Sequence, residues 1–540
     1  MKRFQGLCRA SALISFLLIF LAIILAGILV SCGSISRSSG GATTVQAQNG
    51  VFTRHYNNAR TGANVGESTL TPANVNANTF GVLFTFPVDG FVMAQPLYVP
   101  NVAISGQGTH NVVFVATENN TVYAFDADGK TLNALWQVSL NPPGGEPVPC
   151  MDIGQDACVA PTMGISATPA IDPASGTMYV AARSKQNGSY SHHLHALDIT
   201  NGSERSGSPT VIQVSVPGNG DGGSAVTFDP LAENSRPALL LQNGVVYLSF
   251  GSIADLLHFH GWFLGYDAKS LKQVAVFCVT PNGAEGSFWE SSGPAGDGSN
   301  IFHVSANGDF GFDNNWGDTV LKLTSQLSIG DTFTPFNQDA LDSTDSDLGS
   351  GGPLLLPDEA GSSSTPHLMI AAGKEGRIYL INRDHLGGFN SSNDQIVQEV
   401  SGQLGGGTGG CGQLPHCSGT DVNFNTPAYW NGKLYFGPMN DVVKAFSMSG
   451  GRLSGAPVSA STIGLGVLGV SPTVSANGNS NGIVWVLDFE NGFLRAFDAN
   501  NLGNELFESA LEVVEFSEPT VFNGKVYVGT QFDLTVFGLR

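Results

Sequence analysis

Five histidines fall in two tight groups: His192, His193 and His195, then His258 and His260. On strands, His193 shares a face with His195, and His258 with His260, because side chains alternate with a period of two. Neutral imidazoles ligate metals, so the two groups could share a metal site, but the pattern favours the competing reading, histidines solvated on a rim. Asp339, Asp342, Asp345 and Asp347 run into Gly349-Ser350-Gly351-Gly352. Dense carboxylates in a Gly-rich loop can wrap Ca²⁺ or simply form a solvated acidic loop. The tract Gly405-Gly406-Gly407-Thr408-Gly409-Gly410 is glycine-rich like a phosphate loop. It lacks the Gly-Lys-Ser/Thr ending, so phosphate binding is excluded. No C-x-x-C-H occurs, which excludes covalently attached haem.

The N-terminus sets the compartment in which these groups work. Lys2, Arg3 and Arg9 precede an apolar run from Ala12 to Val30, a charged region followed by a long hydrophobic one. The run meets Leu29-Val30-Ser31-Cys32-Gly33, which resembles a bacterial lipobox. Residues 1–31 are therefore expected to form a lipoprotein-type signal, with Cys32 lipidated, and residues 32–50 a flexible tether rich in Ser, Gly, Thr and Gln. An uncleaved anchor helix is the alternative, since the run is long enough to span a bilayer, and plain secretion is another. Each places the bulk of the chain outside the cytoplasm of a bacterium, membrane-anchored on the periplasmic side or cell surface, or secreted. In an oxidising compartment, Cys150 with Cys158 and Cys411 with Cys417 predict two disulfides, each adding ~2–3 kcal/mol. Neither spacing is C-x-x-C, the commoner zinc pattern. Cys278, inside Val274-Ala275-Val276-Phe277-Cys278-Val279, reads as a buried free thiol.

Composition narrows the class. Of 540 residues, 69 are Gly and only 12% are charged, while 42% are hydrophobic. Low charge, many turn formers and a sizeable apolar share predict an all-β chain with a real core. With 23 basic against 44 acidic side chains, the net charge is −21, which excludes a nucleic-acid partner.

Two landmarks repeat along the chain. One is a Pro opening a short apolar strand: Pro96, Pro169, Pro237, Pro294, Pro353, Pro427, Pro472 and Pro519. The other is a strand ending in a small or apolar residue, a bulky apolar one and usually a turn former, as in Ala124-Phe125-Asp126, Ala196-Leu197-Asp198 or Ala496-Phe497-Asp498. The copies alternate, giving eight units with a further strand between the landmarks, three of these fed by Asn-Gly turns. Such units cannot bury both faces alone, and radial stacking solves this. The last landmark is followed only by Leu539 and Arg540, whereas an orphan strand, Val82 to Val88, precedes the first Pro. The expected fold is thus an eight-bladed β-propeller over residues 51–540, monomeric, with the N-terminal strand completing the last blade.

These units resemble the pyrroloquinoline quinone (PQQ) propeller repeats of quinoprotein alcohol dehydrogenases and of outer-membrane assembly lipoproteins. Val122 to Lys130 followed by Leu135-Trp136 is similar to the tryptophan-docking repeat, in which the Trp of one blade packs onto the next. The segment Tyr56-Asn57-Asn58-Ala59-Arg60-Thr61-Gly62 resembles the dehydrogenases' entry segment. The resemblance implies four roles. Trp289 would be the floor under the quinone and Asn307 a Ca²⁺ ligand. Asp318 would be the base that takes the alcohol proton, and Lys374, read as lying within a strand, the cation on the quinone. Two features depart from the pattern. No two cysteines are adjacent, and the second unit reads Val180-Ala181-Ala182-Arg183-Ser184-Lys185 where a carboxylate ligand is expected. The resemblance thus implies either a non-catalytic binding or scaffold propeller with an envelope protein or small-molecule partner, or a PQQ- and Ca²⁺-dependent alcohol or sugar dehydrogenase with an altered site.

Overall fold

Every one of the eight prolines stands just ahead of the first strand of a sheet built on four antiparallel strands, to which four of the blades add further pairings. In blade 1 the strands are Leu97–Ile104, Gly108–Ala116, Thr121–Asp126 and Trp136–Ser139. The first strands of blades 2 to 8 begin at Ala170, Leu240, Ala295, Leu354, Ala428, Thr473 and Thr520. Pro costs nothing at this position because no ladder bond is required of its nitrogen. The computed structural model describes residues 49–311, 313–405 and 422–540. Cys32, the signal segment and the Cys411–Cys417 pair lie outside the described residues. Among the described residues, no helix is long and apolar enough to cross a membrane.

First strands of successive blades touch, as Leu240–Gln242 does Ala170–Asp172 and Ala295–Gly296, so these strands line the axis. The ring closes as the orphan strand predicts. Phe80–Pro87 pairs antiparallel with Asp533–Leu539, from Phe80 opposite Leu539 to Pro87 opposite Asp533. Blades are joined by side chains whose spacing repeats. Trp136 of blade 1 packs on Gly202, where a Cβ would come within 2.7 Å of the indole, and its Nε1 donates to the Ile199 carbonyl at 3.0 Å. Elsewhere a Tyr of the second strand does this work. The hydroxyls of Tyr179, Tyr247, Tyr435 and Tyr527 donate to the carbonyls of Ala268, Ser325, Ala499 and Ala127, each just past the third strand of the next blade. Tyr supplies both the apolar body a blade interface buries and a polar tip for one orphan carbonyl.

The entry segment plugs the channel. The Val51 N–H donates to the Tyr98 carbonyl, and the carbonyls of Phe52, Asn58, Ala59, Thr61 and Gly62 accept from Ile171, Gly296, Leu355, Tyr429 and Val474. The Asn58 amide reaches the Leu241 carbonyl at 2.8 Å, and the Asn64 amide the Val521 carbonyl at 2.9 Å. Val51 to Asn64 therefore bonds to the first strand of every blade. Three of its non-glycine residues, His55, Tyr56 and Arg60, hold φ between 55° and 67°. That conformation is costly for such side chains and persists only because the surrounding contacts over-determine it.

Two carboxyls in this interior respond to pH. Burial pushes Glu118 and Glu518 up to about 7 from an ordinary 4.5, against the pull of Arg183 and Arg54 respectively. The folded state then keeps protons that the unfolded chain releases above its ordinary carboxylate range. Stability from these groups is full below that range and is lost as pH rises through about 7. The melting temperature is expected to fall between pH 5 and pH 8, with a loss on the order of 1–3 kcal/mol. Scanning calorimetry checks this, and a melting temperature that climbs across the window contradicts it.

Candidate functional site

The segments just ahead of the first strands, together with loops that follow some second strands, enclose a cavity of about 240 Å³ at one end of the channel. Its aromatic wall is Trp289, Phe424 and Phe516, with Ile253, Val159 and Leu468 beside it. Two cations face in, Arg236 and Lys374, with Asp255, Asp347 and Glu515 among the carboxylates. The Cys150–Cys158 disulfide forms as the spacing predicts, and Cys158 lines the same cavity. Cys278 is a buried free thiol, pushed up to about 12 chiefly by burial.

Lys374 is the hub. It does not lie in a strand, as the sequence pattern suggests, but in the turn after Leu368–Ala372. That turn aims a buried ammonium between Asp345 Oδ1 at 2.9 Å and Asp347 Oδ2 at 3.0 Å. Burial alone would lower its pKa, but Asp347 and Asp345 outweigh it and hold the lysine charged. Asp345 is pushed up to about 7 by burial and by Asp347, with Lys374 pulling the other way. The Trp289 indole donates to Asp347 Oδ2 at 3.1 Å, and Lys374 Nζ lies 5.9 Å from the Trp289 ring centre. Arg236 lies 4.8 Å from the same ring and 4.4 Å from Phe516, with Nε donating to the Trp289 carbonyl at 2.8 Å. The two cations thus bracket the cavity's aromatic groups in a setting short of water, where charge recognition is strong.

Asn307 and Asp318 stand behind Asp347, outside the cavity lining. Both sit in turns between strands. The Asn307 N–H donates to Asp347 Oδ1 at 3.2 Å, while its side-chain amide turns to Glu285 at 3.5 Å. Asp318 is fully buried. Its Oδ1 accepts from the Leu348 N–H at 2.9 Å; Oδ2 has no partner of good hydrogen-bond geometry, although the Gln338 amide, which gives one N–H to the Gly308 carbonyl at 3.1 Å, lies close enough to oppose the rise in its pKa. Burial, then Asp347, raise Asp318 well above the ordinary carboxylate range, which favours its neutral form. Arg183 does not enter the cavity; its guanidinium bonds to the Pro230 and Leu231 carbonyls.

This donor set can be compared with the two groups the resemblance implies. A planar anion finds part of what it needs: Trp289 and the phenylalanines supply aromatic surface, and Arg236 and Lys374 supply charge, set against Asp345 and Asp347 on the lysine and the carboxylates of Asp156, Asp255 and Glu515. A Ca²⁺ ion does not fit, because it needs six to eight free oxygens. Asp347 has both oxygens engaged, Asn307 points away and Asp318 is sealed off.

The other sequence clusters resolve differently. Asp339 and Asp342 lie on a short helix, Gln338–Ser343, while Asp345 and Asp347 serve Lys374, so the four do not wrap one ion. His192 is packed edge-on against Phe228 and Phe250, and His195 pairs with Glu204 at 2.7 Å. They share no site with His258 and His260, which face Asp221 instead. The hub role of Asp347 and the contribution of Arg236 are not visible in the sequence. The sequence signal for Asp347 was its place in the acidic loop, and none marks Arg236.

No family profile matches the chain, and no curated protein matches it. Solved structures do. A quinohemoprotein alcohol dehydrogenase from Pseudomonas putida HK5 is similar with a TM-score of 0.62 at 12% identity, over 91% of this chain and 80% of that one. The quinohemoprotein alcohol dehydrogenase from Comamonas testosteroni gives 0.60 at 13%, over 93% and 81%. A europium-containing methanol dehydrogenase gives 0.62 at 14%, over 91% and 98%. At such identities the likeness speaks to fold. By fold, this chain is an eight-bladed β-propeller, similar in architecture to these dehydrogenases.

Proposed function

We propose that the chain is an extracytoplasmic binding propeller, tethered through Cys32 or an anchor helix, whose channel-mouth cavity takes a planar aromatic polyanion of the PQQ class. The observation that carries the reading is the Lys374–Asp347–Trp289 triangle with Arg236 across the ring: two desolvated cations fixed beside an aromatic wall. Trp289, Phe424 and Phe516 would hold the ring system, and Lys374 and Arg236 its oxygens. PQQ, when bound, supplies a two-electron acceptor. A binding role is favoured over turnover because a general base must be ionised and within reach of its proton. Asp318 is sealed off from the cavity, and burial beside Asp347 disfavours its charged form.

A second reading, a PQQ-dependent dehydrogenase, has one observation in its favour: the unbonded Asp318 Oδ2 beside Asp347. Titration with PQQ, followed by indole fluorescence, is expected to show saturable binding weakened at least tenfold by Trp289→Leu. Adding Ca²⁺, alcohols or aldoses and a dye acceptor is expected to give no reduction. Dye reduction abolished by Asp318→Asn would instead establish the dehydrogenase, and no PQQ uptake would remove both readings.

A further inference from the structure

Between blades 2 and 3 the chain leaves the ring to form a hairpin, Ser215–Pro217 with Ala225–Thr227. Its tip carries Asp221 onto the loop that holds His258 and His260. The ligand atoms of the three side chains lie within 4.8 Å of one another. Asp221 Oδ1 is 3.1 Å from His258 Nε2 and 3.2 Å from His260 Nε2. A tetrahedral ion with ~2.0–2.2 Å bonds sets its ligand atoms ~3.3–3.5 Å apart, close to these spacings.

The surroundings orient these atoms. Thr280 Oγ1 donates its single proton to the Glu285 carbonyl at 2.7 Å, so it accepts from His260 Nδ1 at 3.0 Å. The neutral ring then carries its proton on Nδ1 and its lone pair on Nε2. That lone pair faces a carboxylate oxygen, acceptor against acceptor, in a side chain only 2% exposed. A cation between them resolves the conflict. Asp221 is held as well: its Oδ2 accepts from the Thr227 N–H at 2.9 Å, which leaves Oδ1 to bond inward. The tip packs closely, since a Cβ on Gly220 would come within 2.8 Å of the His260 ring. His258, half exposed, leaves the outer side open.

We propose that Asp221, His258 and His260 form a site for a divalent transition ion of the Zn²⁺ class, with Thr280 fixing the His260 tautomer and a position open to solvent. Two imidazoles and one carboxylate favour such an ion over Ca²⁺ or Mg²⁺. The ion would pin the hairpin to the ring at the strip where His260 bridges Glu285 and Glu285 bridges Gly308, next to Asn307.

The test uses the full, untagged chain, stripped with chelator and titrated with Co²⁺. A visible d–d band is expected to saturate at a single equivalent, to be displaced by Zn²⁺ and to be indifferent to Ca²⁺. His258→Ala and Asp221→Asn, both at exposed positions, should each weaken uptake at least tenfold while leaving the melting temperature in chelator unchanged. Thr280→Val should weaken it about tenfold, as loss of an orienting hydrogen bond does. Absence of saturable uptake, or uptake unchanged in both exposed variants, overturns the site and leaves a histidine–aspartate ion pair. Because none of these residues lines the cavity, failure here is independent of PQQ binding.

Discussion

A chain lacking residues 80–88 is expected to aggregate or to melt roughly 5 °C lower, because several kcal/mol are lost at once from a large domain. The strand Phe80–Pro87 supplies the outer edge of blade 8 and seals it against its neighbours. Phe80 packs on Trp485 at 5.6 Å and edge-on against Phe507 at 4.9 Å, while Phe86 stacks on Phe125 of blade 1 at 4.5 Å. Burying each phenylalanine contributes about 1.5–3 kcal/mol, against a typical total of about 5–15 kcal/mol for a domain. Deletion also bares the third strand of the blade, and an unpaired edge templates association. Phe80→Ala alone should cost about 3–5 kcal/mol and stay soluble. Unchanged melting of the deletion in a thermal scan would contradict closure by this strand.

Arg60→Ala is expected to cost about 3–5 kcal/mol, the range for removing a buried, fully bonded charged group. The guanidinium is wholly buried in the plug. Nε donates to Pro294 at 3.0 Å, Nη1 to Thr53 Oγ1 at 2.7 Å and to the Arg54 carbonyl at 2.9 Å, and Nη2 to Leu239 at 3.2 Å. Burial lowers it to about 9, with Arg54 adding to the effect and Glu290 and Glu518 opposing it. Truncation removes the arginine's bond to the Pro294 carbonyl ahead of blade 4 and leaves the Leu239 carbonyl, ahead of blade 3, with only the longer Thr53 hydroxyl bond at 3.3 Å. Arg60→Lys should recover only part of the loss, because an ammonium cannot reproduce the fork. Denaturant unfolding measures both variants, and an Arg60→Ala cost under about 1 kcal/mol would mean that the plug does not hold the ring.

The ring was legible because its units repeat. Pro before the first strand and the Ala-Phe-Asp type of ending mark local geometry that any blade must satisfy, and Val82 to Val88 stood out as a strand without a partner. The Tyr179, Tyr247, Tyr435 and Tyr527 bonds were within reach, since each Tyr holds the same place in its unit. The plug was not, because Asn58 and Arg60 touch blades hundreds of residues away and follow no period. The site was half legible. Trp289 and Lys374 line the cavity, but the acidic loop gave no sign that Asp347 would join them, or that Asp318 would end up sealed behind it. Asp221 lay hidden in a Gly-, Asp- and Ser-rich turn that reads as loop, while His258 and His260 were visible as a pair. Convergence of side chains from distant loops is set by how blades close, which local patterns do not encode.

On the proposed reading, the channel-mouth cavity holds a planar aromatic anion against Trp289 between Lys374 and Arg236. The most direct measurement is a high-resolution structure of the chain saturated with PQQ. One PQQ is expected in that cavity, its ring system against Trp289 and Phe424 and its oxygens on Lys374 and Arg236. A cavity that stays empty of PQQ at saturating concentration, or PQQ bound elsewhere on the propeller, would contradict it.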